Sequence, residues 1–357
     1  MKLPTIGMIG SHSAEEIGVA AKSFGFETVV VCQRGREKLY SHYNRHLYDH
    51  IIVLDSFRDI IHEENQNQLE ELETLWIPNR SFSVYVGYDN IERKFKIPIY
   101  GNRKLLRVEE RGSERDQYWL LKKSGIRTPK FFKPDSIDKL AIVKVRQKEK
   151  PLERAFFYAN SPSDYEKTSQ SMIRQSIISE EDLNEAVIEE FIIAPRFNAN
   201  FEAYAMSEHF GDLDLVGFED RIQTNLSGIL NLPASEQMKI NIAVVNEEVG
   251  HKGITMRESK KPLVYEAAEK LIGGVKKYFP PKMIGLFSLQ GALTDNSEFV
   301  VFDLSPRVPG APCIGPTSPE MRRLSLKFNQ KIQSPLDLCM LDITKAIEED
   351  NLAGAAT

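Results

Sequence analysis

Cysteine is scarce in this chain of 357 residues: Cys32, Cys313 and Cys339 lie far apart and show no metal-ligand spacing. A disulfide scaffold and a thiolate metal cluster are excluded, and reduced thiols are the default. Long apolar runs are missing too. The longest, 28–32 and 97–100, fall far short of the ~20 residues that cross a bilayer. A basic excess is also absent: 46 Lys and Arg stand against 51 Asp and Glu, for a net charge of −5, whereas a duplex-binding domain shows the opposite sign. No nucleic acid and no membrane are expected as partners. Residues 1–6 run straight into a strand-like segment with no apolar leader, so the expected location is cytoplasmic. What remains is an ordinary globular balance, 41% hydrophobic and 27% charged, with length for two or three compact units.

The opening alternates strand and helix. Residues 5–9 read as a short apolar strand and Gly10-Ser11-His12-Ser13 as a turn. Ser13 is placed to cap the next helix, whose first turn carries Glu15 and Glu16. Ile17, Ala20, Ala21 and Phe24 keep one apolar face, and Gly25 ends it. Strands at 28–32 and 50–54 follow, which indicates a parallel, Rossmann-like sheet. A charged stretch at 109–115 opens a new unit, then a helix at 116–123 stops at Gly125 and Pro129. Strands are expected at 140–145, 155–158, 186–193, 197–206, 213–218 and 298–304, and helices at 163–174, 261–279 and 336–349. Residues 351–357 read as frayed. The basic run 93–107, with Arg93, Lys94, Lys96, Arg103, Lys104 and Arg107, is either a solvated face or turned to phosphate.

Several residues carry possible chemistry. A loop after a first parallel strand, feeding a helix N-terminus, suits an anion, and here it offers His12 and two hydroxyls. Lys144 lies inside a β run, where an ammonium needs an anion or a carboxylate; the basic link 146–154 after it is a candidate lid. Glu189-Glu190-Phe191-Ile192 ends a strand with acids facing opposite ways, and such a hinge offers backbone groups to a purine edge. Asp303, Ser305 and Arg307 recur at period two after an apolar strand, hence on one face. With Gln290 on a neighbouring strand they suit magnesium bridging phosphates.

In this order the residues resemble an ATP-grasp ligase: a Rossmann-like front, a helix ending in Gly-Ile-x-x-Pro, a strand lysine, a Glu-Glu-Phe-Ile hinge and a late acid-x-polar-x-Arg strand. More narrowly the chain resembles the archaeal formate-dependent synthetases of purine biosynthesis (the PurP family). The shared stretches are Gly10-Ser11-His12-Ser13-Ala14, Cys32-Gln33-Arg34-Gly35-Arg36-Glu37, Ile97-Pro98-Ile99-Tyr100-Gly101-Asn102-Arg103 and the segments 285–290 and 302–307. The resemblance implies an α/β and α+β chain: a Rossmann-like pre-ATP-grasp domain at 1–112, then an ATP-grasp fold with a small subdomain at 113–192 and a C-terminal subdomain at 193–357.

It also implies ligation of formate to AICAR (aminoimidazole carboxamide ribotide), giving FAICAR, ADP and phosphate through formyl phosphate, with ATP and magnesium or manganese as cofactors and a homo-oligomer, a hexamer included. Site residues carried over are His12, Ser13, Ser81, Asn225 and His251 for substrate, Lys144, Gln223 and Glu189, Glu190, Phe191 and Ile192 for ATP, Gln290 and Asp303 for metal, and Lys144 with Arg307 for catalysis. The chain departs from the family pattern where His-Gly becomes Asn79-Arg80, a glutamate becomes Gln223, an asparagine becomes His251, and the glycine-rich phosphate loop becomes Arg146-Gln147-Lys148-Glu149-Lys150. Another acid or amine substrate, or a nucleotide-binding paralogue without catalysis, are the alternatives these departures motivate.

Overall fold

The computed structural model describes residues 3–110, 112–145, 155–222, 226–240, 249–310 and 313–357. Four short strands, β1 (Thr5–Ile9), β2 (Thr28–Gln33), β3 (His50–Leu54) and β4 (Thr74–Trp76), form a sheet in the order β3-β2-β1-β4. Every pairing in it is parallel. β1 sits inside and is buried along its whole length, as expected of a parallel strand covered on both faces. Helix α1 (Ala14–Ser23) joins β1 to β2, with Ile17, Ala20 and Ala21 inward. Ser13 does not cap it. The residue adopts φ 66 and makes no side-chain cap bond, because its hydroxyl is committed elsewhere, as described below. Helix α2 (Arg80–Val86), which the sequence reading left out, is capped instead by the Asn79 side chain, which accepts from the Phe82 amide at 3.0 Å.

A second sheet has the order β6-β5-β7, from β5 (Ala141–Val145), β6 (Ala155–Ala159) and β7 (Val187–Glu190). The third and largest, β10-β9-β8-β11-β12, is antiparallel throughout and uses β8 (Arg196–Ala203), β9 (Leu213–Ile222), β10 (Gly250–Ile254), β11 (Gly285–Leu293) and β12 (Phe299–Ser305). Its apolar face, including Phe197, Phe201, Phe287 and Leu304, packs with helix α3 (Gln117–Lys123) and helix α4 (Lys261–Tyr278). Helix α5 (Pro335–Glu348) crosses back to the first sheet and shares its core with α1 and β1.

Two expectations are corrected here. The C-terminal residues are not frayed: Ala355 is fully buried and Thr357 exchanges two backbone hydrogen bonds with Ile99, both 3.0 Å. Small side chains in Ala-Gly-Ala-Ala let this tail lie close against the segment after β4. In the basic run, Arg103 donates to the carbonyls of Ile91, Phe95, Ile97 and Thr357, and Arg107 pairs with Asp89, Glu92 and Glu110. These two arginines are structural, not turned to phosphate.

Where the first and third sheets meet, Glu202 and Asp342 are both fully buried, and the Tyr100 hydroxyl lies 2.9 Å from each carboxyl group. Asp342 also accepts from the amides of Ala205 and Met206 at 2.7 and 2.9 Å, so it takes the charge. Burial, then the neighbouring Asp342 charge, pushes the Glu202 carboxyl well above the usual carboxylate range. Glu202 therefore donates to the Tyr100 oxygen, and Tyr100 donates on to Asp342.

A carboxyl protonated in the folded chain and ionised in the unfolded one contributes fully below its unfolded pKa, and less as pH climbs toward the folded value. Glu202→Gln removes this titration. In urea unfolding, the stability difference should move in favour of the variant, by at most about 1.4 kcal/mol per pH unit, as pH rises above the ordinary carboxylate range; a pH-independent difference would contradict the assignment.

Candidate active site

Lys144 points from the middle strand of the second sheet to Glu189 of β7, and the two form an ion pair that is largely buried. Glu189 also accepts from the Tyr118 hydroxyl at 2.8 Å, and the same oxygen lies 3.1 Å from the Phe302 carbonyl. Phe302 is bulged out of the β11–β12 register and directly precedes Asp303. One helical tyrosine thus ties the strand lysine of one sheet to the late strand of another. Helix α3 is pinned there by a second contact, the Leu304 amide donating to the buried Gln117 side chain at 2.6 Å.

Around Lys144 opens a cavity of about 450 Å³ walled by Tyr118, Trp119 and Phe131, with Lys122 and Glu185 at its margin. Aromatic faces beside two ammonium groups suit a planar, anionic guest, and the volume is that of a nucleotide pocket.

The hinge divides its acids as expected. Glu189 is 3% exposed, whereas Glu190 turns the other way to Arg127 and Lys139 at 3.1 and 3.2 Å. Against the desolvation of burial, hydrogen bonds from the Lys130 amide, Arg127 and Lys139 hold the Glu190 carboxyl below its usual range. Of the hinge's backbone groups, the amides of Glu190 and Phe191 already donate to the carbonyls of Lys130 and Leu140, at 2.8 and 2.9 Å. Phe191 stacks under the Arg196 guanidinium, and Ile192 packs with Ala292 and Val300.

The third sheet carries a polar row on the face opposite its apolar core. Asp303 lies directly across from Gln290, Gln290 from Asn198, and Asn198 from Glu219. Directly opposite residues share a face, with Cα atoms about 4.5–5.5 Å apart. Asn198 donates to Glu219 at 2.5 Å, and its own buried oxygen accepts no hydrogen bond. Glu219 then meets Nδ1 of His251.

Arg307 follows on past β12, but it is buried and paired with Glu109 at 2.9 Å, and it donates to the Val308 carbonyl. Arg80 pairs with the same Glu109 at 3.2 Å. Against its own desolvation, Glu109, Tyr88 and Asp303 raise the Arg80 pKa, so a second cation lies within electrostatic reach of Asp303.

At the far end of the row the first sheet arrives. His12 Nδ1 is 3.0 Å from the Ser13 hydroxyl, which donates to the Pro309 carbonyl at 3.3 Å. A Cβ on Gly310 would stand 2.7 Å from His12 Nε2 and 2.8 Å from His251 Nε2, so both imidazoles converge on that glycine. Ser81 is buried in the first turn of α2. The preceding Asn79 is bridged to Val308 and donates to the Ile9 carbonyl at 3.1 Å.

Of the residues singled out in the sequence, Lys144 and Glu189 come together beside β12; Gln290 and Asp303 face each other; and His12, Ser13 and His251 meet around residues 309–310. Gln223, Asn225 and the link 146–154 lie outside the described residues. Tyr118, Asn198, Glu219 and Gly310 escaped the sequence reading, which named Arg80 only as a departure from the family pattern. Asn198 was within reach of it: Phe197-Asn198-Ala199-Asn200-Phe201 sets polar side chains at every second position of an apolar strand.

A parallel front sheet, a small sheet bearing a lysine paired with a carboxylate, and a larger antiparallel sheet with an acid on its last strand make up an ATP-grasp fold. Solved structures agree. An IMP biosynthesis protein PurP from Thermococcus kodakaraensis superposes with a TM-score of 0.68 at 21% identity, over 99% of this chain and 100% of that one. An ADP complex of N5-carboxyaminoimidazole ribonucleotide synthetase reaches 0.59 at 14% identity, over 87% of this chain and 72% of that one. At such identities the likeness is one of fold.

Residues 6–132 match a family described as a protein of unknown function (DUF1246), and residues 164–357 match a domain of unknown function (DUF1297). In sequence the chain is 35% identical to the 5-formaminoimidazole-4-carboxamide-1-(beta)-D-ribofuranosyl 5'-monophosphate synthetase of Methanocaldococcus jannaschii, over 86% of this chain and 82% of that protein. It is 34% identical to the synthetase of the same name from Methanothermobacter thermautotrophicus, with the same coverage. The chain belongs to this synthetase family. Among the described residues, no helix is long and apolar enough to cross a membrane.

Gly310→Ala should force the His12 and His251 rings apart, since a methyl cannot share the notch. Histidine ring resonances in an NMR spectrum should shift for these two residues while the rest of the spectrum holds. Unmoved His12 and His251 signals would mean that the glycine is no part of the site.

Proposed function

We propose that the chain is an ATP- and magnesium-dependent ligase that joins formate to AICAR, giving FAICAR, ADP and phosphate. The family membership supports the reaction. The observation that carries it to these residues is the unbroken polar face from Asp303 to His251 and His12, with the Lys144 cavity joined to it through Tyr118.

Formate does not react with a weakly nucleophilic aromatic amine at neutral pH, because oxide is too poor a leaving group. Phosphorylation to formyl phosphate supplies a better one. Phosphoryl transfer is mainly positioning and charge neutralisation. ATP lies in the Lys144 cavity, its base among Tyr118, Trp119 and Phe131 and its phosphates toward Asp303. On binding, Lys144 exchanges Glu189 for phosphate oxygen, and Tyr118 keeps Glu189 hydrogen-bonded as it does so.

The donors at the late strand fit an oxygen-preferring cation: a carboxylate faces an amide, and the next side chain in the row holds an unsatisfied buried oxygen. Asp303 and Gln290 would hold magnesium, which would supply neutralisation of the phosphate charge. Arg307, with its guanidinium held by Glu109, and Arg80 beside it steady the acyl phosphate. His12, Ser13, Ser81 and His251 position the ribotide.

Purified protein given ATP, magnesium, formate and AICAR should release ADP and a formylated ribotide together. ADP formed only with another acid or amine would point to a different ligase, and ATP binding without turnover in any mixture to a paralogue that has lost catalysis. Asp303→Asn should lower turnover at least about a hundredfold with the melting temperature little changed, since a charge-assisted contact contributes roughly 1.5–3 kcal/mol and this one organises others. His12→Ala should raise the KM for the ribotide much more than that for ATP; equal effects on both would contradict the assignment of the front sheet to the ribotide.

A further inference from the structure

The turn 112–116 gives residues to two cavities. Gly112 and Asp116 line the one around Lys144, while Ser113, Glu114 and Arg115 line another of about 680 Å³. This second cavity is closed by the basic run 93–107 on one side and by Tyr278, Phe279 and Pro280, at the end of α4, on the other. Within it Glu92 and Arg107 share two hydrogen bonds, at 2.9 and 3.0 Å, and cancel. Arg93, Arg103, Lys104 and Arg115 then stand against one further acid, Glu114. Among the described residues no Asp or Glu forms an ion pair with any of these four cations.

Two of the four are held firmly in place. Arg103 gives its hydrogens to main-chain oxygens, which fix it without cancelling its charge. Burial draws its pKa below the ordinary value, as for a cation whose surroundings supply no counter-charge. The Arg115 guanidinium lies over the rings of Trp119 and Phe279, 4.6 and 4.7 Å from their centres, and donates to the Tyr278 carbonyl at 2.7 Å. Its fork is oriented, and its other N–H groups make no hydrogen bond among the described residues.

We propose that this cavity is a second ligand site, which takes the phosphate chain of a small molecule carrying two or more phosphates. The inference goes beyond the ligase reading and does not depend on it. Like charges around one concavity focus their field on a compact anion, and a phosphate chain concentrates several negative charges in little space. Arg93, Lys104 and Arg115 supply the contacts, with guanidinium forks suited to phosphate oxygens; Arg103 adds its field, since its hydrogens are taken. The volume is enough for a nucleoside diphosphate as well as for a bare chain. Trp119 links the site to its neighbour, because it carries Arg115 on its ring and also walls the Lys144 cavity. An anion that draws on Arg115 changes the charge over that ring.

The experiment titrates the protein with sodium pyrophosphate at low ionic strength and without magnesium, followed by calorimetry and by fluorine NMR after 5-fluorotryptophan labelling. The chain has 2 tryptophans, and Trp76, fully buried in the front sheet, is the internal reference. Arg93→Glu/Lys104→Glu reverses two charges of the cavity. Lys94→Glu/Lys96→Glu makes the same change in net charge on exposed residues of the same run that do not line it. The wild type and the Lys94/Lys96 variant should bind alike, with the Trp119 signal moving and that of Trp76 still. Arg93→Glu/Lys104→Glu should bind about a hundredfold more weakly and leave Trp119 unmoved. If its melting temperature falls, Lys104→Gln takes its place, with a loss of about tenfold expected. Equal losses in both double variants would show a general field and no site, and an undiminished affinity or a surviving Trp119 shift in Arg93→Glu/Lys104→Glu would put the anion elsewhere; each overturns the inference, as does a wild type that binds no pyrophosphate and no ADP. ADP separates the sources. A second calorimetric step that vanishes in Arg93→Glu/Lys104→Glu supports a nucleotide as the guest, and pyrophosphate binding without such a step supports the phosphate chain alone.

Discussion

Antiparallel pairing sets opposite residues on one face of a sheet, and the site described here depends on that constraint. The register of β12 on β11, β11 on β8 and β8 on β9 lines up Asp303, Gln290, Asn198 and Glu219. A slip of one residue in any pairing would turn part of the row into the apolar core and bring a phenylalanine or alanine out in its place. The apolar face therefore enforces the polar one: Phe197, Phe201, Phe287 and Leu304 bury themselves only in the register that assembles the row. The bulge at Phe302 serves the same end, since it frees a carbonyl for Tyr118 beside Asp303.

From that face the rest of the molecule follows as attachments. The second sheet brings Lys144, which in the folded chain is answered by Glu189. A buried ion pair gains little over an apolar contact, because desolvation offsets most of the attraction. Such a pair is poised for exchange, and a phosphate is a competing anion for the lysine. The first sheet brings His12 on a left-handed Ser13 that caps nothing and holds the imidazole instead. Residues 307–310, leaving β12, touch both: Arg307 meets Glu109, and Pro309 and Gly310 seat the two histidines.

Much of this was legible in the sequence. The parallel front sheet showed in short β-branched strands around an amphipathic helix, and the late strand in the period-two spacing of Asp303, Ser305 and Arg307. Lys144 announced itself as a charge inside an apolar run. The rest depended on contacts that no local pattern encodes. Tyr118 reads as an ordinary core aromatic of its helix until β12 arrives against it. Gly310 looks like a loop glycine until two rings from distant segments converge there. Arg307 looked free to act, yet its Nε and Nη2 are held by Glu109, from a stretch that composition marked only as charged. The terminal tail read as frayed because its residues are small, and smallness is what lets it dock.

The central claim is that one cleft joins the strand lysine to the late strand, and its most direct test is a crystal structure with a non-hydrolysable ATP analogue and manganese. The account predicts an anomalous manganese peak bonded to side-chain oxygens of Asp303 and Gln290, with the analogue's phosphates between it and Lys144, and the base against Tyr118, Trp119 and Phe131. Manganese and phosphates bound away from Asp303, or an analogue that leaves Lys144 paired only with Glu189, would contradict it.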